Sequence, residues 1–251
     1  MASPDGEMSF WDHLEALRGT LIRSVVAVCV CSLVFLAFPR HLFQAVLWPA
    51  GPDFILYRLL GLDFRMTLIN TEVSAQFFMH LKVSMLCGLV IAFPYVIYEI
   101  WKFVAPALYA HEVKAVRKGF LLSSGLFYLG VAVGYFVVLP VCLMFFMNYT
   151  VSDAITNTIT LASYMSLFTS MVFLIGLLFE FPTVILVLSS LGLVNREQLR
   201  KLRKYAFVAV LILSALITPS DPFSMFVLAI PLYGLYELSI FLCKKEEVEA
   251  V

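Results

Sequence analysis

Charged residues are scarce in this sequence of 251 residues. They make up 14% of the chain, against ~25% in soluble globular domains, while hydrophobic residues make up 62% and the mean hydropathy is +0.95. A water-soluble fold of this size needs a charged surface, so the composition excludes that class and indicates an integral membrane protein. The net charge of zero also excludes the broad basic field that nucleic-acid binding requires, so no nucleic-acid partner is expected.

Catalytic and metal-binding motifs are absent as well. The five cysteines and four histidines are scattered without the paired spacing of a metal site. The chain contains no zinc-protease or serine-hydrolase motif, and no glycine-rich phosphate loop opens a helix. We therefore expect no metal, no cofactor and no enzyme activity. An internal repeat, which is the signature of many transporters, is also missing.

Long uncharged stretches dominate what is present. A membrane-spanning helix needs ~20 mostly apolar residues, and the sequence contains six such candidates, of which the last two are short. They predict an all-α fold that forms a single polytopic membrane domain over residues 1–251, with an exterior cap loop at 41–72. The approximate predicted helices are 22–40, 73–98, 119–147, 161–191, 205–217 and 222–243.

The basic residues predict the orientation. Of the 17 Lys and Arg residues, 13 fall in the N-terminal segment, the 99–118 and 192–204 loops and the C-terminal tail. With six spans, these four segments lie on one side of the membrane, and only three basic residues lie on the other. The excess of positive charge predicts cytoplasmic N- and C-termini. The acidic residues before the first span argue against a cleavable signal peptide.

Ionisable residues inside spans are costly and are usually functional. Glu180 is the clearest example, because Pro182 follows it and predicts a kink that opens a polar notch beside the carboxylate. The alternative is a structural Glu180 that is hydrogen-bonded to a neighbouring helix. Lys82 lies at a depth that allows an ion pair with Glu180. Glu99 and Glu237 lie near helix ends. The simpler interpretation is that both side chains extend to the membrane surface.

Several segments resemble the twin-arginine translocase subunit TatC, in order and over essentially the whole chain. Lys82 and Pro94 fit the second helix of that family, and Pro94 is a further predicted kink. The other segments that carry the resemblance are Trp11–Arg18, Tyr98–Trp101, Phe103–Glu112, Phe179–Pro182, Thr218–Asp221 and Leu228–Tyr233.

The resemblance implies a function and partners. The fold of that family is a cupped bundle of six helices in the bacterial inner membrane. Its members act as receptors for the twin-arginine signal peptides of folded proteins. They work with TatA/TatB-type single-span proteins, and the proton-motive force drives export. Contacts with membrane lipids and self-association are also expected. Paired arginines are best bound by carboxylates that accept bidentate hydrogen bonds.

By the same resemblance, particular residues acquire roles. Asp221 would lie at the exterior tip between the last two helices, where it could contact a partner protein. Two positions depart from the family: Ala16 stands where the family usually has a glutamate, and Met225 stands where some members carry an amide. The residues implied in binding the signal peptide are Glu112, Phe103, Arg18 and Glu15.

One other function and a simpler interpretation of the charged residues compete with the receptor. Without the resemblance, Glu180 and Lys82 are equally consistent with an ion- or proton-coupled transporter of small solutes. On composition alone, Glu15 and Glu112 are solvated loop charges, and the basic segment 196–204 is explained by attraction to anionic lipids.

Overall fold

The computed structural model describes residues 10–62, 64–108, 113–152, 157–190, 192–218 and 221–243. Two helices contain a π-helical turn, at Gly134–Val138 and at Ser170–Leu174. A 3-10 turn, Trp48–Ala50, follows the second helix. The helices and strands are α1 (Phe10–Ala37), α2 (Pro39–Leu47), α3 (Ile55–Leu60), β1 (Leu68–Ile69), α4 (Ala75–Leu108), α5 (Val113–Val133), α6 (Leu139–Asn148), β2 (Ile159–Thr160), α7 (Leu161–Thr169), α8 (Ile175–Leu178), α9 (Phe181–Ser190), α10 (Arg196–Lys201), α11 (Arg203–Ile217) and α12 (Pro222–Leu242).

Within the described ranges, five helical stretches are long and apolar enough to cross a membrane, which confirms the predicted all-α membrane fold. Helix α11, at the fifth predicted span, has 15 residues, fewer than the ~20 that a perpendicular span needs. The five stretches are Leu14–Ala37, Ala75–Phe103, Phe120–Asn148, Leu161–Ser190 and Pro222–Leu242.

Helices α1 and α4 form an antiparallel pair. Arg23 bonds to Glu99 near one end of the pair, and Ser32 packs against Gly88 farther along. A Cβ atom at Gly88 would lie 2.6 Å from the backbone nitrogen of Ser32, so only glycine allows this close approach. Small residues bring helices together in this way inside membranes, where burial from water no longer drives packing.

The two π-helical turns pack against each other at a second close crossing. A Cβ atom at Gly134 would collide with the carbonyl oxygen of Met171, and one at Gly130 would lie 2.6 Å from Cγ of Phe179. A π turn adds one residue to a helix and shifts the side chains that follow it. The crossing therefore fixes the position of Phe179 and of the residue after it, Glu180.

The segment 41–72 packs onto one end of the bundle, which we call the cap end. Three tyrosine hydroxyls donate hydrogen bonds to backbone carbonyls at the end of α2 and the following turn: Tyr135 to Ala45, Tyr164 to Val46 and Tyr57 to Pro49. These carbonyls lack helical partners, so the bonds satisfy them. Burial raises the pKa of the Tyr57 hydroxyl, which keeps it a neutral donor.

A short parallel sheet ties the cap to the bundle. Strand β1 pairs with β2, with Leu68 opposite Ile159 and Ile69 opposite Thr160. Thr160 then caps α7, because its side chain accepts a hydrogen bond from the backbone N–H of Ser163.

Candidate functional site

An apolar groove opens between α4 and the α8–α9 segment. Its volume is about 510 Å³. One wall is formed by α4, through residues that include Phe93, Ile97 and Trp101, and the other by α9, through residues that include Val184 and Val187. In the described part of the chain, no basic side chain lines the groove.

Three polar residues lie among these apolar walls: Glu180, Ser123 and Thr183. All three are buried, with Glu180 9% exposed. The Ser123 hydroxyl donates a hydrogen bond of 2.5 Å to Oε2 of Glu180. The other carboxylate oxygen, Oε1, and the Thr183 hydroxyl are buried without a partner. Because burying an unpaired polar atom costs free energy, Oε1 is available to a donor that enters the groove.

The local backbone explains why Glu180 sits at this point. The helix breaks after α8, and the Glu180 amide bonds to the carbonyl of Leu177, a tighter turn than an α-helix makes. Pro182 occupies the second position of α9. Proline has no N–H and is tolerated in the first turn of a helix. The predicted kink at Pro182 therefore corresponds to a break between two helices.

The structure does not bring Lys82 to Glu180. The Lys82 side chain is exposed on α4, and neither ion pair formed by the described residues includes it. Pro94 lies half-buried inside α4, which runs unbroken from Ala75 to Leu108. Without a paired cation near Glu180, the arrangement gives no support to a transporter built on these two residues.

Glu99 forms an ion pair that was not predicted from the sequence. Its side chain is buried, 4% exposed. The Arg23 guanidinium donates to Oε2 of Glu99 through Nε at 2.8 Å and through a terminal nitrogen at 2.7 Å. Arg23 also donates to the Thr20 hydroxyl at 3.4 Å. The ion pair joins α1 to α4, which the sequence could not show because the two residues are 76 positions apart.

The start of α1 and the end of α4 lie near this ion pair. The resemblance associates these two helix ends with signal binding. Glu15 and Arg18 are exposed on α1, and Phe103 is half-buried near the end of α4. Ala16, where the family usually has a glutamate, is exposed as well. Glu112, the predicted contact for the arginines, lies outside the described residues.

Asp221 acts as a helix cap in the structure. Its Oδ2 atom accepts a hydrogen bond of 2.6 Å from the backbone N–H of Ser224 at the start of α12. Its other oxygen, Oδ1, is buried without a partner. Met225 follows in the first turn of α12 and is half-buried. Among the residues that the structure describes, no group of three His, Cys, Asp or Glu side chains could hold a metal ion.

Comparisons with known proteins decide the family. The family model for the Sec-independent protein translocase protein TatC matches residues 12–231. The chain belongs to the TatC family. It is 35% identical to TatC of Blattabacterium over 96% of this chain and 97% of that protein, and 35% identical to TatC of Escherichia coli K12 over 91% and 85%.

A crystal structure of the twin-arginine translocase receptor TatC in DDM has the same fold. It superposes with a TM-score of 0.80 at 34% identity and covers 93% of this chain and 100% of that one. This TatC-family chain is a protein-transport component and not an enzyme. Its apolar helices and its bacterial homologues indicate a multi-pass protein of the inner membrane.

Proposed function

We propose that this chain is the receptor subunit of a twin-arginine export system and binds the signal peptides of folded proteins. The observation that carries the proposal is the groove between α4 and α9, with apolar walls and one buried carboxylate. The related crystal structure is described as a twin-arginine translocase receptor, which supports the same role here.

The groove suits the apolar part of a signal peptide. Its walls offer aromatic and branched side chains for packing, and packing is what drives helix association inside a membrane. Oε1 of Glu180 accepts no hydrogen bond from the described residues. A hydroxyl or an N–H group of an inserted segment would satisfy this oxygen, so Glu180 orients the segment rather than repelling it.

The paired arginines would bind where α1 begins and α4 ends. Guanidinium groups form bidentate hydrogen bonds with carboxylates, a geometry that lysine cannot reproduce. Glu112 supplies such a carboxylate, with Phe103 packing beside it and Glu15 and Arg18 contributing from α1. Glu15 replaces the carboxylate that is lost at Ala16.

The proposal also assigns an orientation and partners. The end that carries Phe103 faces the cytoplasm, in agreement with the distribution of basic residues. This N-in/C-in topology needs six spans, so α11 crosses the membrane as a short helix. Single-span TatA/TatB-type proteins assemble on the chain and contact Asp221 at the exterior tip. Further copies of the chain also associate with it. The proton-motive force drives translocation.

Photo-crosslinking tests the recognition of arginine. A crosslinker at residue 103 is expected to label a twin-arginine signal peptide strongly and its twin-lysine version weakly. Equal labelling of the two peptides would contradict the proposal. Glu112→Gln is expected to weaken binding while the protein stays inserted in the membrane, and unchanged export of twin-arginine substrates would remove Glu112 from the site.

A further inference from the structure

A second cavity lies at the cap end, away from the groove. Its volume is about 600 Å³, and it opens onto the protein surface between α2, β1 and the start of α4. It shares no lining residue with the groove between α4 and α9. The receptor role described above makes no use of it.

Four polar side chains line this cavity: Arg40, Asn70, Gln76 and His80. No acidic residue lines it in the described part of the chain. The Nε2 atom of His80 is buried without a hydrogen-bond partner. Arg40 belongs to neither of the ion pairs that the described residues form. One cation and three side chains able to donate hydrogen bonds, with no opposing carboxylate, are complementary to an anion.

The first turn of α2 contributes to the same chemistry. Pro39 and Arg40 both line the cavity, and no side chain caps this end of the helix. The exposed amides of a helix start carry a partial positive charge, which favours a bound anion. Pro39 has no N–H, so the first amide of the helix that lines the cavity is that of Arg40, and together with the Arg40 guanidinium it makes the polar side of the cavity electropositive.

The position in the membrane specifies the kind of anion. The first membrane-spanning stretch ends at Ala37, and the second begins at Ala75. The residues that line the cavity lie next to these span ends, and we infer that the cavity is at the level where phospholipid headgroups meet the hydrocarbon core. Phe43, Leu47 and Phe77 complete its lining with apolar surface, against which the glycerol and upper acyl carbons of a lipid can pack.

We propose that this cavity binds a phosphate group, and specifically that of an anionic phospholipid in the outer leaflet of the inner membrane. Arg40 pairs with the phosphate, and Nε2 of His80 and the amides of Asn70 and Gln76 complete its hydrogen bonds. The ligand is a structural lipid that holds α2 against the start of α4.

Native mass spectrometry of the full-length protein tests this proposal with phosphatidylglycerol as the probe. Arg40→Gln is expected to weaken phosphatidylglycerol binding by about tenfold, the effect of losing one charge-assisted hydrogen bond. His80→Leu, which removes both ring nitrogens, is expected to weaken it less. Arg58→Gln and Arg65→Gln are the matched controls, because both arginines are exposed near the cap and neither lines the cavity; binding should be unchanged in both.

Other ligands and variants distinguish the outcomes. Diacylglycerol, which lacks phosphate, should bind weakly, and equal binding of diacylglycerol and phosphatidylglycerol would overturn the proposal. Inorganic phosphate binding as tightly as phosphatidylglycerol would assign the site to free phosphate and overturn the lipid as its source. Arg40→Lys keeps the charge and should restore part of the affinity. A thermal unfolding curve for each variant shows whether it is folded, and unchanged lipid binding in folded Arg40→Gln protein would contradict the site.

Discussion

Among the described residues of the membrane-spanning helices, two carboxylates are buried, and their surroundings differ. Glu99 is 4% exposed and bonds to the Arg23 guanidinium, which leaves the pair with a formal charge of zero. Glu180 is 9% exposed and accepts a hydrogen bond from the neutral hydroxyl of Ser123, with Thr183 nearby, and its second oxygen has no hydrogen-bond partner among the described residues. Glu99 faces a neighbouring helix, whereas Glu180 lines an open groove.

The difference separates a structural role from a binding role. A buried charge that already has its counter-charge has little to gain from a ligand, and it links the two helices that carry the pair. A buried carboxyl group with an unused oxygen remains available to an incoming donor. The comparison therefore supports a structural role for Glu99 in the α1–α4 pair, and it supports the proposal that Glu180 takes part in the recognition of an inserted segment.

The largest loss of stability is expected when Arg23 is removed. Arg23→Gln leaves the Glu99 carboxylate buried without its cation, which costs more than the loss of one neutral hydrogen bond. The unfolding temperature in detergent micelles should fall further than in Ser123→Ala, Ser124→Ala or Arg203→Gln. Export should fall only in proportion to the loss of folded protein.

A double variant sharpens this result. Arg23→Gln combined with Glu99→Gln removes both charges and leaves two amides that can bond to each other. We expect the double variant to be more stable than Arg23→Gln alone, as in a double-mutant cycle between contacting residues. An additive loss in the double variant would show that the ion pair is not what joins α1 to α4.

A smaller loss is expected at Ser123. Ser123→Ala removes the described hydrogen bond to Glu180, so the free energy of unfolding should fall by about 1–2 kcal/mol. Ser124→Ala is the matched control, because the hydroxyl of Ser124 is buried without a partner. Chemical unfolding of both variants gives the comparison, and equal losses would mean that the bond to Glu180 contributes nothing.

The smallest effect is expected at the ion pair between Arg203 and Glu237. The two side chains are 46% and 37% exposed and lie 2.6 Å apart. Exposed pairs contribute about 1 kcal/mol or less, so Arg203→Gln should change the free energy of unfolding by no more than that. The two arginines are similarly exposed, 48% for Arg23 and 46% for Arg203, so a loss as large as that of Arg23→Gln would show that burial of the carboxylate does not separate the two pairs.

Hydropathy alone predicted the membrane fold, because each long uncharged stretch carries its own signal along the chain. The starts of the helices were harder to predict: α1 begins at Phe10, well before the predicted residue 22, because the charged segment that precedes the uncharged stretch continues the same helix. The hydrogen bonds from Tyr135 and Tyr164 to the cap could not be predicted from the sequence either, since each joins residues about a hundred positions apart.

The candidate site was predictable in part. Glu180 was identified from its cost inside an apolar span, and the break at Pro182 from the missing N–H of proline. Ser123 could not be found, because a hydroxyl on another helix leaves no mark in the sequence around Glu180. The partner of Glu99 was missed for the same reason. The resemblance to TatC supplied Glu112 and Phe103, which no spacing rule would have selected.

The most direct test of the central claim is site-specific crosslinking from the groove. A photo-reactive residue at Ile97, which lines the groove, is expected to label the apolar part of a twin-arginine signal peptide. Leu33, which is 63% exposed on α1, is the matched control and should label lipid instead. Glu180→Ala should reduce the labelling from residue 97. Equal labelling of the peptide from residues 97 and 33 would contradict the account, because the groove would then not be where the signal binds.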